Sequence, residues 1–212
     1  KWYNNTSNAI SIGHGLGAIP DAVIVKKTDG TANWHCRFKG FDANNYISLN
    51  NNEAKGASTA VFATLPTTTL FYTGTAAYHI NADLIAWCFT SIQGFSKIGS
   101  YTGNGNADGT FVYTGFRPAF IMLKNTAAAE DWWLMDNKRE GFNSAESNRG
   151  NFALQPNANY AENTNHQADI LSNGFKFRAT SAEVNSSGVN YLYMAFAEQP
   201  FVNSNGVPCT AR

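Results

Sequence analysis

The sequence predicts an all-β protein made of two tandem, homologous units, each an antiparallel β-sandwich of jelly-roll or lectin-like type. Short runs rich in β-branched and aromatic residues recur along the chain, bounded by Gly, Asn, Asp or Pro, which is the pattern of strands and turns. The pattern returns about a hundred residues later. No stretch keeps an apolar stripe at helical spacing over three turns.

Five runs predict strands in the first unit, and five matching runs predict strands in the second. They are residues 21–26, 34–38, 46–49, 69–73 and 84–90, then 120–123, 132–135, 151–154, 175–179 and 190–196. Turns rich in Asn and Gly separate them, as at residues 104–109 and 172–174, because these residues tolerate positive φ. The order of the strands stays open, so a jelly roll and a lectin-like sandwich both remain possible topologies.

The repeat is visible in two ungapped segments, GAIPDAVIVKKTDGTANW at 17–34 and GFRPAFIMLKNTAAAEDW at 115–132. Tyr3 likewise matches Tyr101. Further along, the offset between the copies grows from 98 to 105 and then 107 residues. Extra residues of this kind belong in loops, where insertions cost little closure entropy. We therefore expect a first unit at residues 1–97, a second at 98–203 and a C-terminal tail at 204–212.

Composition limits the classes of partner. Charged residues make up 14% of the chain, against roughly 25% in an average protein, and the formal net charge is zero. No basic face is present to bind nucleic acid, and no run approaches the roughly 20 apolar residues that membrane insertion requires. Asn occurs 26 times, and such an uncharged polar surface suits contact with sugars. The chain does not open with methionine, so we expect it to come from a longer polypeptide.

Cysteines and histidines give no sign of a cofactor or metal site. Cys36 aligns with Leu134 and Cys88 with Ala195, which predicts buried free thiols, whereas Cys209 lies in the tail and has no prediction. The four histidines lack the spacing of a zinc site. His14 aligns with Val112 and is interpreted as a residue that stabilises a turn.

Three residues are candidates for binding a ligand: Trp133, His35 and Asp131. Alternation in a strand places Trp34 and Cys36 on one face, which the repeat indicates to be core, so His35 and Trp133 would face outward. A flat, exposed tryptophan suits stacking on a sugar ring. Burial of this face between the repeats or between subunits is the alternative.

Two acidic segments could hold other chemistry. Glu130 and Asp131 adjoin, but neighbours in a strand point to opposite faces, so they fit a turn better than the paired acids of a glycosidase. Residues 104–109 (NGNADG) resemble a calcium loop without its downstream Glu, and a plain turn is the preferred interpretation.

Residues 14–26, 94–120 and 195–201 together resemble a tandem domain of tailed bacteriophages, prominent in phages of marine and cyanobacterial hosts. The resemblance spans nearly the whole chain. It implies a virion protein at the particle surface, most often part of a tail fibre, and a homotrimer that contacts other virion proteins.

The function expected from this resemblance is non-enzymatic adhesion to a host surface polysaccharide or outer-membrane receptor. A capsid decoration or other purely structural virion role is the alternative. A polysaccharide depolymerase, which needs two acids in a groove, is a further alternative.

Overall fold

A computed structural model describes residues 1–4, 8–139, 153–163 and 168–199. Within these ranges the chain forms sixteen strands and no helix, and all strand pairs are antiparallel. The prediction of an all-β, antiparallel fold is confirmed. No described helix is available to cross a membrane. The chain divides into two compact units, Lys1–Thr90 (unit 1) and Ser91–Arg212 (unit 2), whereas the sequence predicted a division after residue 97.

Unit 1 contains eight strands in two sheets. They are β1 (Trp2–Asn4), β2 (Ser11–Gly13), β3 (Ala22–Lys27), β4 (His35–Phe38), β5 (Asn45–Ser48), β6 (Gly56–Ala57), β7 (Leu70–Tyr72) and β8 (Ala82–Phe89). The larger sheet has the order β1, β8, β3, β4, β5, β6, and β2 pairs with β7. Val23, Val25 and Leu84 from the larger sheet share one core with Phe71 from the smaller. Two sheets that bury their apolar faces together are consistent with a β-sandwich.

Unit 2 contains a five-stranded and a three-stranded sheet. Its strands are β9 (Ser96–Thr102), β10 (Phe111–Tyr113), β11 (Pro118–Asn125), β12 (Trp133–Asp136), β13 (Ala153–Leu154), β14 (Ala168–Leu171), β15 (Gly174–Phe177) and β16 (Asn190–Ala197). The five-stranded sheet has the order β13, β12, β11, β16, β9, and the other has the order β10, β15, β14. Leu123 and Tyr193 from the first pack in one core with Phe175 and Phe177 from the second, again consistent with a sandwich.

The larger sheets of the two units share a strand order. The order in unit 1 is β1, β8, β3, β4, β5, and the corresponding order in unit 2 is β9, β16, β11, β12, β13. The register of the central pair also agrees. Val25 pairs with His35 in unit 1, and Leu123 pairs with Trp133 in unit 2, each residue lying 98 positions after its counterpart. The tandem duplication remains a prediction from the sequence. One residue from each unit is called a counterpart of the other when both occupy the same place in the strand pairing.

Two cysteines fall within the described residues, and both are free thiols. Cys36 is fully buried, as predicted, and burial raises the pKa of its thiol. Cys88 is only half-buried, and burial raises its pKa to about 11. Neither thiol is a reactive thiolate at neutral pH. Cys209 lies outside the described residues.

Candidate functional site

The outward orientation predicted for His35 and Trp133 is wrong. Trp133 is 2% exposed and belongs to the core of unit 2, and His35 is 3% exposed. The expectation took the matched pair Trp34 and Trp132 as the mark of the core face. Both tryptophans precede the strands, which begin at His35 and Trp133, and Trp132 is buried as expected, but Trp133 is buried beside it. Neither His35 nor Trp133 therefore presents a ring surface to a ligand.

The matched tryptophans are explained by a shared backbone hydrogen bond. The N–H of Trp34 donates to Asn50 Oδ1 at 2.7 Å, and the N–H of Trp132 donates to Asn157 Oδ1 at 2.8 Å. The indole of Trp34 also stacks on Trp87, with ring centroids 5.3 Å apart. These contacts fix the entry into β4 and β12.

His35 lies in a cluster of buried rings in unit 1. Its ring stacks on Tyr78 at a centroid distance of 4.6 Å and meets the edges of His79 and Tyr46 at 5.5 and 5.6 Å. Burial, with a smaller contribution from the charge of Lys26, lowers the pKa of His35 to about 4. Burial, with a smaller contribution from His35, lowers the pKa of His79 to about 4 as well. Both imidazoles are neutral at pH 7.

Asp131 holds the loop before β12 in place. Its carboxylate accepts hydrogen bonds from Gln155 Nε2 and Asn157 Nδ2, each at 2.7 Å. Asn157 is the residue that receives the Trp132 N–H, so the carboxylate orients this amide. Beside it, burial and the nearby charge of Glu183 raise the pKa of Glu130. A ligand-binding role for Asp131 stays a prediction.

The loop at residues 104–109 uses its oxygen atoms within the protein. Asn104 Oδ1 accepts from the N–H of Asn106 and from Asn185 Nδ2, both at 3.0 Å. Asp108 pairs with Lys176 at 2.7 Å and with Arg178. This arrangement is a turn stabilised by side chains. Among the described residues, no three His, Cys, Asp or Glu side chains converge to hold a metal ion.

Unit 2 contains a polar cavity of ≈ 360 Å³ between two segments of chain. One wall is the turn that leads into β9, where Ser91, Gln93, Ser96 and Lys97 line the cavity; the other is the end of β10, from Tyr113 to Gly115. The volume lies near the lower end of the range for small-molecule sites, about 300 to 1,000 Å³.

Hydrogen bonds hold both walls. Ser91 Oγ accepts from the N–H of Ile98 at 3.0 Å, and Ser96 Oγ accepts from the N–H of Ile92 at 3.1 Å. On the opposite wall, the hydroxyl of Thr114 donates to the carbonyl of Phe116 at 2.6 Å. A ligand would therefore meet a formed cavity, which lowers the entropy cost of binding.

Tyr113 supplies an exposed aromatic ring at this cavity, with 63% of the residue accessible to solvent. Gly115 lies beside the ring, and a Cβ there would come within 3.6 Å of the tyrosine hydroxyl. Gly115 also has a φ of 84°, a conformation that favours glycine. The turn after β10 thus requires glycine and leaves room for the ring.

Tyr113 and Lys97 were missed in the sequence. A signal for Tyr113 is nevertheless present in Phe111-Val112-Tyr113, where only the central residue is buried and the two aromatic neighbours are exposed. Exposed aromatic residues flanking a buried valine are the alternation of a half-buried strand. The repeat drew the prediction to Trp133 instead.

A second cavity, of ≈ 250 Å³, lies in unit 1. Its walls are mainly apolar and include Ile19, Phe41 and Leu65. Asp21 and Lys39 also line it and form an ion pair at 3.0 Å. Such walls offer fewer hydrogen-bonding groups for a sugar than the cavity of unit 2 does.

Fold and cavity together define a class: an antiparallel all-β protein whose second unit carries a preformed polar cavity beside an exposed tyrosine. The chain belongs to the family described as a domain of unknown function (DUF7483), whose model matches residues 1–200. No curated protein and no solved structure matches it.

Proposed function

We propose that this chain is a non-catalytic adhesive module of a bacteriophage virion, part of a tail fibre, and that it binds host surface polysaccharide through the cavity of unit 2. The observation that carries the proposal is the exposed ring of Tyr113 beside a formed, polar cavity. The phage assignment is supported by the motifs at residues 14–26, 94–120 and 195–201.

The chemistry of the cavity fits a carbohydrate. The apolar face of a pyranose packs on an aromatic ring, and its hydroxyl groups need both donors and acceptors nearby. Exposed Gln93 brings an amide and exposed Tyr113 brings the ring, whereas the hydroxyl groups of Ser96 and Thr114 are buried and form hydrogen bonds within the protein. Few charged groups surround these atoms in a chain with 14% charged residues.

A small, open cavity binds one sugar weakly, so adhesion depends on the number of copies. Linking several sites on one particle raises the effective concentration of the second site and multiplies the overall affinity. A homotrimeric fibre, present in several copies on a virion, supplies such multivalency. This arrangement is part of the proposal.

The test is binding of the recombinant chain to polysaccharides purified from marine and cyanobacterial isolates, and to intact cells of the isolates whose polysaccharide binds. We expect saturable binding that is lost when the surface polysaccharide is stripped. Tyr113→Ala should weaken binding by about tenfold or more, as for an aromatic residue at the centre of an interface.

Tyr3→Ala is the matched control, because Tyr3 is 58% exposed and lies in unit 1. This variant should bind as the wild type does. Equal loss in both variants, or binding that survives removal of the polysaccharide, would argue for a protein receptor. A folded chain that binds no polysaccharide and no cell would favour a structural virion role.

A further inference from the structure

We infer that the cavity of unit 2 selects an acidic sugar, one that bears a carboxylate or a sulfate, over its neutral counterpart. The inference rests on the proposed carbohydrate-binding function and specifies the class of ligand. Its basis is the charge of Lys97, which lines the cavity and has no ion pair, hydrogen bond or ring contact from its charged group among the described residues.

Lys97 differs from every other described lysine and arginine. The charged group of each of the others contacts a carboxylate, a backbone carbonyl or an aromatic ring, as Lys176, Lys124 and Lys55 illustrate. Among the described residues, Lys97 has no such contact. Because the other described cations all have such a contact, the ammonium group of Lys97 is the one we assign to a ligand.

The surroundings of Lys97 do not offset its charge. None of the described residues that line the cavity is acidic, and the other side chains there are uncharged. Of the described lining residues, an anion in the cavity therefore meets one positive charge and no carboxylate. At a partly enclosed surface this attraction exceeds its value in bulk water, although salt still screens it.

The position of Lys97 on the fold suits this role. Lys97 follows Ser96 at the start of β9, on the wall opposite Tyr113, and its side chain is exposed. A sugar ring packed on Tyr113 thus shares one cavity with the ammonium group. The ring would provide apolar contact, and Lys97 would discriminate by charge.

Carboxylates and sulfates share the charge that Lys97 would recognise, so the experiment includes both. The probes are two matched pairs of polymers: polygalacturonate with its methyl ester, and a sulfated galactan with the same galactan after desulfation. Binding of the full chain is measured by titration calorimetry at low salt and again in about 0.5 M NaCl, where the Debye length falls to a few ångströms.

We expect the wild type to bind at least one acidic polymer about fivefold or more tightly than its neutral partner. Added salt should reduce that preference. Lys97→Gln should abolish the preference, and Lys97→Arg, which retains the charge, should preserve it. The acidic polymer that binds more tightly identifies carboxylate or sulfate as the group selected.

Failure of this inference is distinguishable from failure of the proposed function. Equal binding of acidic and neutral polymers, weakened in both cases by Tyr113→Ala, would overturn acidic selectivity and leave carbohydrate binding in place. A preference that persists in Lys97→Gln would also overturn it. A folded chain that binds none of the four polymers would overturn the inference for these two anion classes, and the isolate polysaccharides would then decide the proposed function separately.

Discussion

Unit 1 and unit 2 place different side chains at one position of the same strand arrangement. His35 on β4 pairs with Val25 on β3, and Trp133 on β12 pairs with Leu123 on β11. Both side chains are buried. The shared strand position is buried in both units, and the residue that occupies it determines the consequence of burial. Burial gives unit 1 an ionisable core residue and gives unit 2 a large apolar one.

The units differ again at the smaller sheet. Tyr113 pairs with Gly174 on β15, and Gly13 pairs with Leu70 on β7, at corresponding positions of the two strand pairs. Unit 2 thus has an exposed ring where unit 1 has no side chain. The comparison locates the proposed recognition surface in unit 2 and the pH-sensitive core in unit 1.

The largest effect is expected from Trp133→Ala. Truncating a fully buried tryptophan leaves a cavity and costs about 3–5 kcal/mol of stability. Denaturant unfolding should show this loss, and hydrogen exchange should increase in the peptides of β11 and β12. Tyr113→Ala, which removes an exposed ring, should change stability by less than about 0.5 kcal/mol. A cost below about 1 kcal/mol for Trp133→Ala would contradict its placement in the core.

Acid should destabilise unit 1. The pKa values of His35 and His79 fall from 6.5 to about 4 on folding, so the unfolded chain binds more protons between these values. Stability therefore rises with pH from about 4 to 6.5 and is lost as the pH falls through that window. Each ring contributes on the order of 3 kcal/mol at most.

The measurement is unfolding in urea between pH 4 and 7.5, with hydrogen exchange, corrected for its intrinsic pH dependence, to separate the units. The double variant His35→Phe/His79→Phe should show a shallower dependence on pH. Acid destabilisation that is the same in unit 2 would remove the contrast between the two cores.

The paired asparagines test the correspondence between the units. Asn50→Ala should cost about 1 kcal/mol, because the N–H of Trp34 loses its acceptor. Asn157→Ala should cost about 2 kcal/mol, since Asp131 also loses a donor. Thermal unfolding measures both, with the exposed Asn159→Ala as a control that should change little. No cost at Asn50 would mean that the two loops are held differently.

The smallest changes in stability are expected when Tyr101 or Trp2 is replaced by phenylalanine. The hydroxyl of Tyr101 donates to the carbonyl of Val184 at 2.7 Å, so Tyr101→Phe should cost about 1 kcal/mol. The indole nitrogen of Trp2 is buried without an acceptor among the described atoms, so Trp2→Phe should cost less than Tyr101→Phe. Chemical denaturation of both variants measures these costs. A larger cost for Trp2→Phe than for Tyr101→Phe would contradict the expectation.

The sequence predicted where the strands lie better than it predicted which residues of the two units correspond. The alignment matched Tyr3 with Tyr101. In the structure, however, Trp2 pairs with Leu84, and Tyr101 pairs with Tyr191, which is the counterpart of Leu84. Trp2 is therefore the counterpart of Tyr101. Tyr3 is consequently exposed and Tyr101 buried. A one-residue shift reverses the face of every side chain, and identical residue types outweighed the pleat in the alignment.

An error of two residues in the alignment does not change the face on which a side chain is expected. The alignment matched Leu49 with Leu154, whereas the pairs Cys36 with Ile47 and Leu134 with Leu154 make Ile47 the counterpart. Both alignments put the same side-chain face inward because the period of a strand is two. Hydrogen bonds to Asn50 and Asn157, 107 residues apart, identify the correct register.

By itself the sequence determined the all-β class and the positions of most strands, because these follow from local pattern and composition. Only the tertiary structure decided that both faces of β4 are covered and that Trp133 lies on the buried face of β12. Burial depends on the sheet that packs opposite, and that sheet is formed by residues distant in the chain, such as Phe71 and Phe175. The meeting of Lys97 with Tyr113 at one cavity has the same cause.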